Sequence, residues 1–128
     1  MTATTRMGKM ETRTTRTEVL GLLGLARRAG SVVTGTGAVR DAVRADAARL
    51  VLLAEDGAAG QVGKVANLLR HRTVPRRTWG TQEELGRAVG TAPLSALAIM
   101  DDGFARRLRA ELGENEGPLG GPVSDEDG

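Results

Sequence analysis

The chain has 128 residues, 40% of them hydrophobic and 27% charged, with a formal net charge of +2. Such a length predicts one domain with one modest core. No cysteine and a single histidine exclude a disulfide framework, a thiolate metal site and a histidine-rich metal site, and suit a reducing, cytoplasmic compartment. The charge is unevenly spread, +3 over residues 1–17, +4 over the middle and −5 over residues 113–128. A basic body with an acidic tail points to an anionic partner. A preference for arginine over lysine, with abundant Ala and Gly, also follows from genome base composition alone.

Residues 1–17, mostly Thr, Arg and Met without apolar periodicity, read as a disordered basic segment. A helix is predicted from Thr17 or Glu18 to Ala29, because Val19, Leu22, Leu23 and Ala26 recur at i, i+3, i+4 and i+7 and Gly30 is placed to end it. Gly21, Gly24 and Arg28 share another face. Glycine costs ~1 kcal/mol relative to alanine inside a helix, so two on one face imply close approach of another backbone. The apolar run Val19–Ala26 is broken by those glycines and falls short of the roughly 20 residues that cross a bilayer. The basic head imitates a secretory signal, but Arg27-Arg28 stands where small residues are needed for cleavage.

Val32-Val33 forms a short strand leading into the turn Thr34-Gly35-Thr36-Gly37. The helix that follows is expected to bury Ala38, Val39, Ala42 and Val43 and to turn Arg40, Asp41 and Arg44 to its other side. Leu50–Leu53, bounded by Arg49 and, past Ala54, by Glu55, has the pattern of a strand buried on both faces. Val62, Val65, Ala66 and Leu69 mark a third helix, ending before Pro75. Pro75–Trp79 is a second, more exposed strand. Thr81-Gln82-Glu83-Glu84 has the form in which the first side chain accepts from the fourth amide and the fourth reaches back. It opens a short helix carrying Leu85, Ala88 and Val89 and closed by Gly90. Leu94–Met100 is another apolar strand, and Asp101 or Asp102 caps a last helix with Phe104, Ala105, Leu108 and Leu112 on one face. Beyond Gly113 the Gly, Pro and acidic composition predicts a disordered tail. Helices and strands alternating over residues 18–112 give a single-domain α/β fold, a three-layer α/β/α sandwich.

Two motifs suggest an enzyme and fail on spacing. Gly60-Gln61-Val62-Gly63-Lys64 lies between a strand and a helix, as a phosphate-binding Walker loop does, but that loop needs glycine at position 58 and a hydroxyl at 65, where Ala58 and Val65 stand. Gly35-Thr36-Gly37 begins like a dinucleotide fingerprint whose third glycine would fall on Arg40. His71 has no nearby nucleophile and reads as solvated. Glu55 and Asp56, at a strand's C-terminal end, form a conceivable acid and base pair, although their ordinary role is to cap the turn into the next helix. One Trp, one Phe and no Tyr leave no stacking platform for single-stranded RNA. What remains is the glycine turn, where backbone amides at a helix start favour a phosphate. Arg40 and Arg44 stand one turn apart on that helix, and Arg27 and Arg28 end the helix before it, which predicts one positive surface around the turn.

Leu25-Ala26-Arg27-Arg28-Ala29-Gly30, Thr34-Gly35, Ala48 to Asp56, Glu84-Leu85-Gly86 with Gly90, and Asp102-Gly103-Phe104-Ala105 together resemble the ribosomal protein L-seven-Ae and L-thirty-e-like superfamily of kink-turn RNA binders, most of all its small bacterial YlxQ-type branch. The resemblance covers about residues 18–112 and implies a three-layer α/β/α sandwich around a small mixed sheet. It also implies binding of kinked RNA at tandem sheared G·A pairs through the start of the second helix and a later apolar loop, here Val89-Gly90-Thr91-Ala92-Pro93-Leu94. Where the family's RNA binders carry Gly-x-Asn-Glu-x-x-Lys, this chain reads Gly35-Thr36-Gly37-Ala38-Val39-Arg40-Asp41, so Asn, Glu and Lys have become Gly37, Ala38 and Asp41. The candidate RNA contacts are Arg27, Arg28, Thr34, Gly35, Thr36, Gly37, Arg40, Arg44, Val89, Gly90, Thr91, Ala92 and Pro93. The expectation is a monomeric, cytoplasmic, non-enzymatic RNA-binding protein, ribosome-associated, with no cofactor, metal or membrane. A protein-interaction module on the same scaffold and, last, a small hydrolase or nucleotide-binding protein are the other classes.

Overall fold

The structure is a computed structural model that describes the backbone of residues 2–113 and the side chains of residues 15–113. The elements run α1 (Thr2–Arg28), β1 (Val32–Thr34), α2 (Thr36–Arg44), β2 (Leu50–Leu53), α3 (Ala59–Leu69), β3 (Arg76–Thr78), α4 (Gln82–Ala88), β4 (Ala96–Ile99) and α5 (Asp102–Leu112). The four strands form one sheet in the order β1-β4-β2-β3. β2 is parallel to β3, with Leu52 opposite Arg77, and antiparallel to β4, with Leu52 opposite Leu97. β4 is in turn antiparallel to β1, with Val33 opposite Ala98. The ends of β1, β2 and β3 therefore share one edge of the molecule with the start of β4.

Side chains alternate across a strand, and here both faces are covered. Leu50, Leu52, Leu97 and Ile99 pack with Val19, Leu22, Leu23 and Ala26 of α1, Leu85 of α4 and Leu108 of α5. Val51, Leu53, Ala96 and Ala98 pack with Val39, Ala42 and Val43 of α2 and Val65 and Leu69 of α3. This is the three-layer sandwich around a mixed sheet that the sequence implied, with α1, α4 and α5 on one side and α2 and α3 on the other. All four residues of β2 are buried, and emptying one such position, as in Leu52→Ala, costs ~2–5 kcal/mol. Among the described residues no helix is long and apolar enough to cross a membrane.

Several local expectations are corrected. α1 starts at Thr2, not at residue 17. Once its packed C-terminal half is anchored, a helix grows by propagation without a second nucleation cost, and no proline interrupts residues 1–28. The acidic tail beyond Gly113 lies outside the described residues. Ala38 is exposed, since the buried side of α2 is Val39, Ala42 and Val43. β3, expected as the more exposed strand, is a sheet edge, yet its Arg77 is 3% exposed. There its Nε donates to the Gly113 carbonyl at 3.1 Å, so the guanidinium closes the C-terminal end of α5. Of Gly21 and Gly24, only Gly24 meets a neighbour, the Ala88 carbonyl, 3.4 Å from where a Cβ would sit.

Candidate nucleic-acid interface

Gly35 joins β1 to α2 with φ 94° and ψ 150°. That region is closed to L side chains by their own backbone, so glycine is required although the space around it is open. Its amide donates to the Ala96 carbonyl at 3.0 Å and its carbonyl accepts from Val39, which stitches the turn to the start of β4. No side chain caps α2 and no acid stands in its first turn. Gly37 and Ala38 are exposed. The first turn of the helix thus offers amides on a smooth surface that carries the positive end of the dipole.

The loop from α4 to β4 reaches the same edge. Its shape depends on Gly86, where a Cβ would lie 2.4 Å from the Ala92 carbonyl oxygen and 2.9 Å from that of Thr91. The Thr91 amide donates to the Gly86 carbonyl at 2.7 Å, and the Leu94 amide donates to that of Gln82. Gly90, Ala92 and Pro93 are exposed and Thr91 is half-buried. Val89 is the exception among the loop candidates. At 1% exposed it belongs to the core under α1, so its side chain cannot pack on a base, and the helical spacing that places Leu85 inside also places Val89 there. Ser95, 6% exposed, ties the edge together. Its hydroxyl accepts from the Ala58 amide at 3.2 Å and donates to Gln82 Oε1 at 3.3 Å, linking the starts of α3 and α4 to β4.

The structure divides the predicted positive surface in two. Arg27 and Arg28 end α1 on one side of the sheet, and Arg27 Nε donates to the Val89 carbonyl at 3.1 Å, which fixes the root of the loop. Arg40 and Arg44 lie on α2, on the other side. Arg44 is exposed and reaches back to Asp41 at 3.5 Å; an exposed pair of this kind contributes ~0.3–0.5 kcal/mol and yields readily to a better partner. Arg40 is not on the exposed face as expected but half-buried, and its Nε is buried without a hydrogen-bond partner. Helical spacing explains this, since Arg40 follows Thr36 by one turn and Thr36 Oγ1 donates to Gln61 Oε1 of α3 at 2.9 Å.

One of the enzyme-like residues has a structural task. Asp56 caps α4, not the next helix α3, accepting from the Gln82 amide at 2.8 Å. His71 is exposed. A cleft of about 370 Å³ at the opposite edge is lined by Asp46, Arg49, Thr73, Val74, Pro75, Asp102 and Arg109, and its Arg49 and Asp102 pair with each other at 3.4 Å. Among the described residues no group of three or more His, Asp or Glu stands together as a metal site. Sequence reasoning did not place Ser95 at this edge and read Gly86 and Gln61 only within longer stretches; the signal for Gly86 was a glycine within a capped helix, and for Ser95 there was none.

Residues 17–109 match the model of the ribosomal protein L7Ae/L30e/S12e/Gadd45 family. RNA-binding protein YlxQ of Bacillus subtilis (strain 168) is 38% identical over 87 residues, 68% of this chain and 87% of that protein. RNA-binding protein YlxQ of Enterococcus faecium is 29% identical over 94 residues, 73% and 90% of the two chains. Among solved structures, a protein with unknown function from Bacillus halodurans C superposes with a TM-score of 0.70 at 33% identity, covering 73% of this chain and 95% of that one. A Giardia lamblia 15.5kD RNA binding protein shares the fold, with a TM-score of 0.67 at 23% identity over 80% and 88% of the two chains. The matched span reaches from the packed part of α1 into the last turns of α5, and the chain belongs to the ribosomal protein L7Ae/L30e/S12e/Gadd45 family.

Proposed function

We propose that this protein binds structured RNA and performs no catalysis on it, as a monomer in the cytoplasm and in association with the ribosome. The observation that carries the reading is that the uncapped start of α2 and the largely exposed Gly90–Pro93 loop lie at one edge of the sheet, where Gly35 is hydrogen-bonded to Ala96 of β4, the strand into which the loop leads. Free amides and a helix dipole favour a phosphate, and small or apolar loop residues favour the face of an extruded base. The family and the names of the YlxQ relatives support the same partner class. In this reading Thr34 to Gly37 approach the RNA backbone, Gly90 to Pro93 meet a base, Arg44 exchanges Asp41 for a phosphate, Arg27 supports the loop, and the exposed Arg28 is free to meet a phosphate.

The finer proposal is a kink-turn. Titration of the full chain against a kink-turn RNA, and against a version with its G·A pairs disrupted, tests it. Tighter binding of the intact motif is expected, with an affinity that falls with salt at a slope of roughly −0.7 to −0.9 per phosphate contact. Equal binding of both RNAs would remove the kink-turn, and a salt-independent titration would remove the phosphate contacts. Asp41 stands where the family has lysine, so Asp41→Lys is expected to tighten kink-turn binding by about 1–3 kcal/mol if the ammonium reaches a guanine edge. Unchanged affinity in that variant would place the contact elsewhere.

A further inference from the structure

α2 and α3 lie side by side on one face of the sheet and start from the same edge, so they run parallel. They touch at their first turns through Thr36 and Gln61. The hydroxyl of Thr36 donates to Gln61 Oε1, which leaves the two N–H groups of the exposed Gln61 amide turned outward. One turn further on, Arg40 follows Thr36 on the flank of α2 that faces α3. Lys64 follows Gln61 on the flank of α3 that faces α2. Lys64 is exposed, and the inner nitrogen of Arg40 is buried with no hydrogen-bond partner. Asp41, one residue round the helix from Arg40, is turned away and paired with Arg44. No acid stands in the first turn of α3. The two helices thus frame a seam that carries an amide donor at its mouth and a cation on either side one turn below.

We propose that this seam reads the RNA, with Gln61 and Lys64 of α3 supplying the donors that Gly37, Ala38 and Asp41 do not supply from α2. This rests on the RNA-binding reading above. Gln61 Nε2 donates to a base acceptor at the mouth of the seam, held in orientation by Thr36, and Lys64 and Arg40 neutralise the phosphates on either side of that base. An amide donor suits the acceptors of a base edge, whereas a lysine acts as a point charge on phosphate. As a mere tie between helices, the exposed Thr36 to Gln61 contact contributes little to stability, so its removal would not impair folding.

The test is titration of a labelled kink-turn RNA with the full chain and with Gln61→Ala, Gln61→Glu and Lys64→Met, each over a range of salt, together with thermal melts. Gln61→Ala is expected to weaken binding several-fold with an unchanged salt slope. Gln61→Glu, which has the same shape but presents an acid, should weaken it more than tenfold. Lys64→Met should weaken it several-fold and flatten the slope by roughly 0.7–0.9, one phosphate contact. Melting temperatures should stay within a few degrees. Binding by the unmodified chain with no change in any variant would overturn the seam and leave the RNA reading intact. Losses of affinity matched by losses of melting temperature would assign these side chains to helix packing and overturn it equally. A chain with no RNA affinity would overturn both readings.

Discussion

The paired helices α4 and α5 on one side of the sheet and α2 and α3 on the other treat their N-termini in opposite ways. On one side of the sheet, α4 opens with the reciprocal Thr81 and Glu84 hydrogen bonds and α5 with Asp101 accepting from the Phe104 amide, and both carry acids in their first turns. On the other side, α2 begins at Gly35 and α3 at Ala58, neither with a side-chain cap and neither with an acid in its first turn. A cap stabilises a helix by ~0.5–2 kcal/mol, so the α2 and α3 layer forgoes stability that its sister layer takes. Amides that the protein does not satisfy are the ones available to an anion. In the RNA-binding reading proposed above, the capped α4 and α5 serve the fold and the open starts of α2 and α3 face the partner.

The strongest way to break this contrast is to disturb the loop that leads from α4 to β4. Gly86→Ala drives a methyl group into the Ala92 backbone, which cannot withdraw as a flexible side chain would. A cost of roughly 1–3 kcal/mol is expected, seen in the melting temperature, together with lost RNA affinity because the loop is displaced. A smaller test strips a cap from the stable layer. Thr81→Ala should cost about 1 kcal/mol with RNA affinity unchanged. The Thr81 amide, and after it the Arg16 guanidinium, hold the Glu84 carboxyl below its ordinary 4.5. A carboxyl depressed in the folded state contributes stability that is present above the unfolded value and is lost as pH falls through the lowered one. Glu84→Gln should therefore flatten acid denaturation below about pH 4.5 in a melting series, and an unchanged profile would show that Glu84 is not a source of it.

The contrast can also be sharpened by giving the open layer what it lacks. Ala58 is exposed, with φ −59° and ψ 126°. Ala58→Asp should add ~0.5–1 kcal/mol of stability and at the same time weaken RNA binding, since the carboxylate would take the amides and repel phosphate. Gains in both quantities would contradict the division of labour. The smallest effect is expected at Arg16, which stacks 4.8 Å from the Trp79 ring centroid and pairs with Glu84 at 2.5 Å on a half-exposed surface. Arg16→Ala should cost about 0.5–1 kcal/mol. A fragment of residues 18–112 should melt cooperatively, at a lower temperature than one of residues 15–113 that keeps Arg16 and the Gly113 carbonyl.

What could be read from the residues was what depends on near neighbours. The Leu50–Leu53 run, the Thr81 to Glu84 box, the Asp101 cap and the punctuation by Gly30, Gly35 and Gly90 are all decided within a few positions, and each stands where its spacing placed it. What escaped depends on partners far along the chain. Asp56 finds its amide 26 residues on, Arg77 its carbonyl 36 residues on, and Thr36 meets Gln61 across two helices. The order β1-β4-β2-β3, which inserts the last strand between the first two, is likewise set by packing and not by any local signal. The candidate site was legible in its glycine turn and loop but not in its charges. Whether an arginine on α2 faces water or its neighbouring helix depends on where that neighbour lies.

The arrangement of Arg16 over Trp79 also makes the molecule its own reporter. Trp79 is the only tryptophan and there is no tyrosine, so essentially all near-ultraviolet fluorescence arises from one ring, half-buried beneath a guanidinium from the first helix. Undocking that part of α1 would wet the indole and shift its emission to longer wavelength, without any label. The ring packs with the α1, α4 and α5 layer, whereas α2 and α3 contribute no fluorophore. The same cuvette therefore separates movement of the N-terminal helix from occupancy of the opposite face.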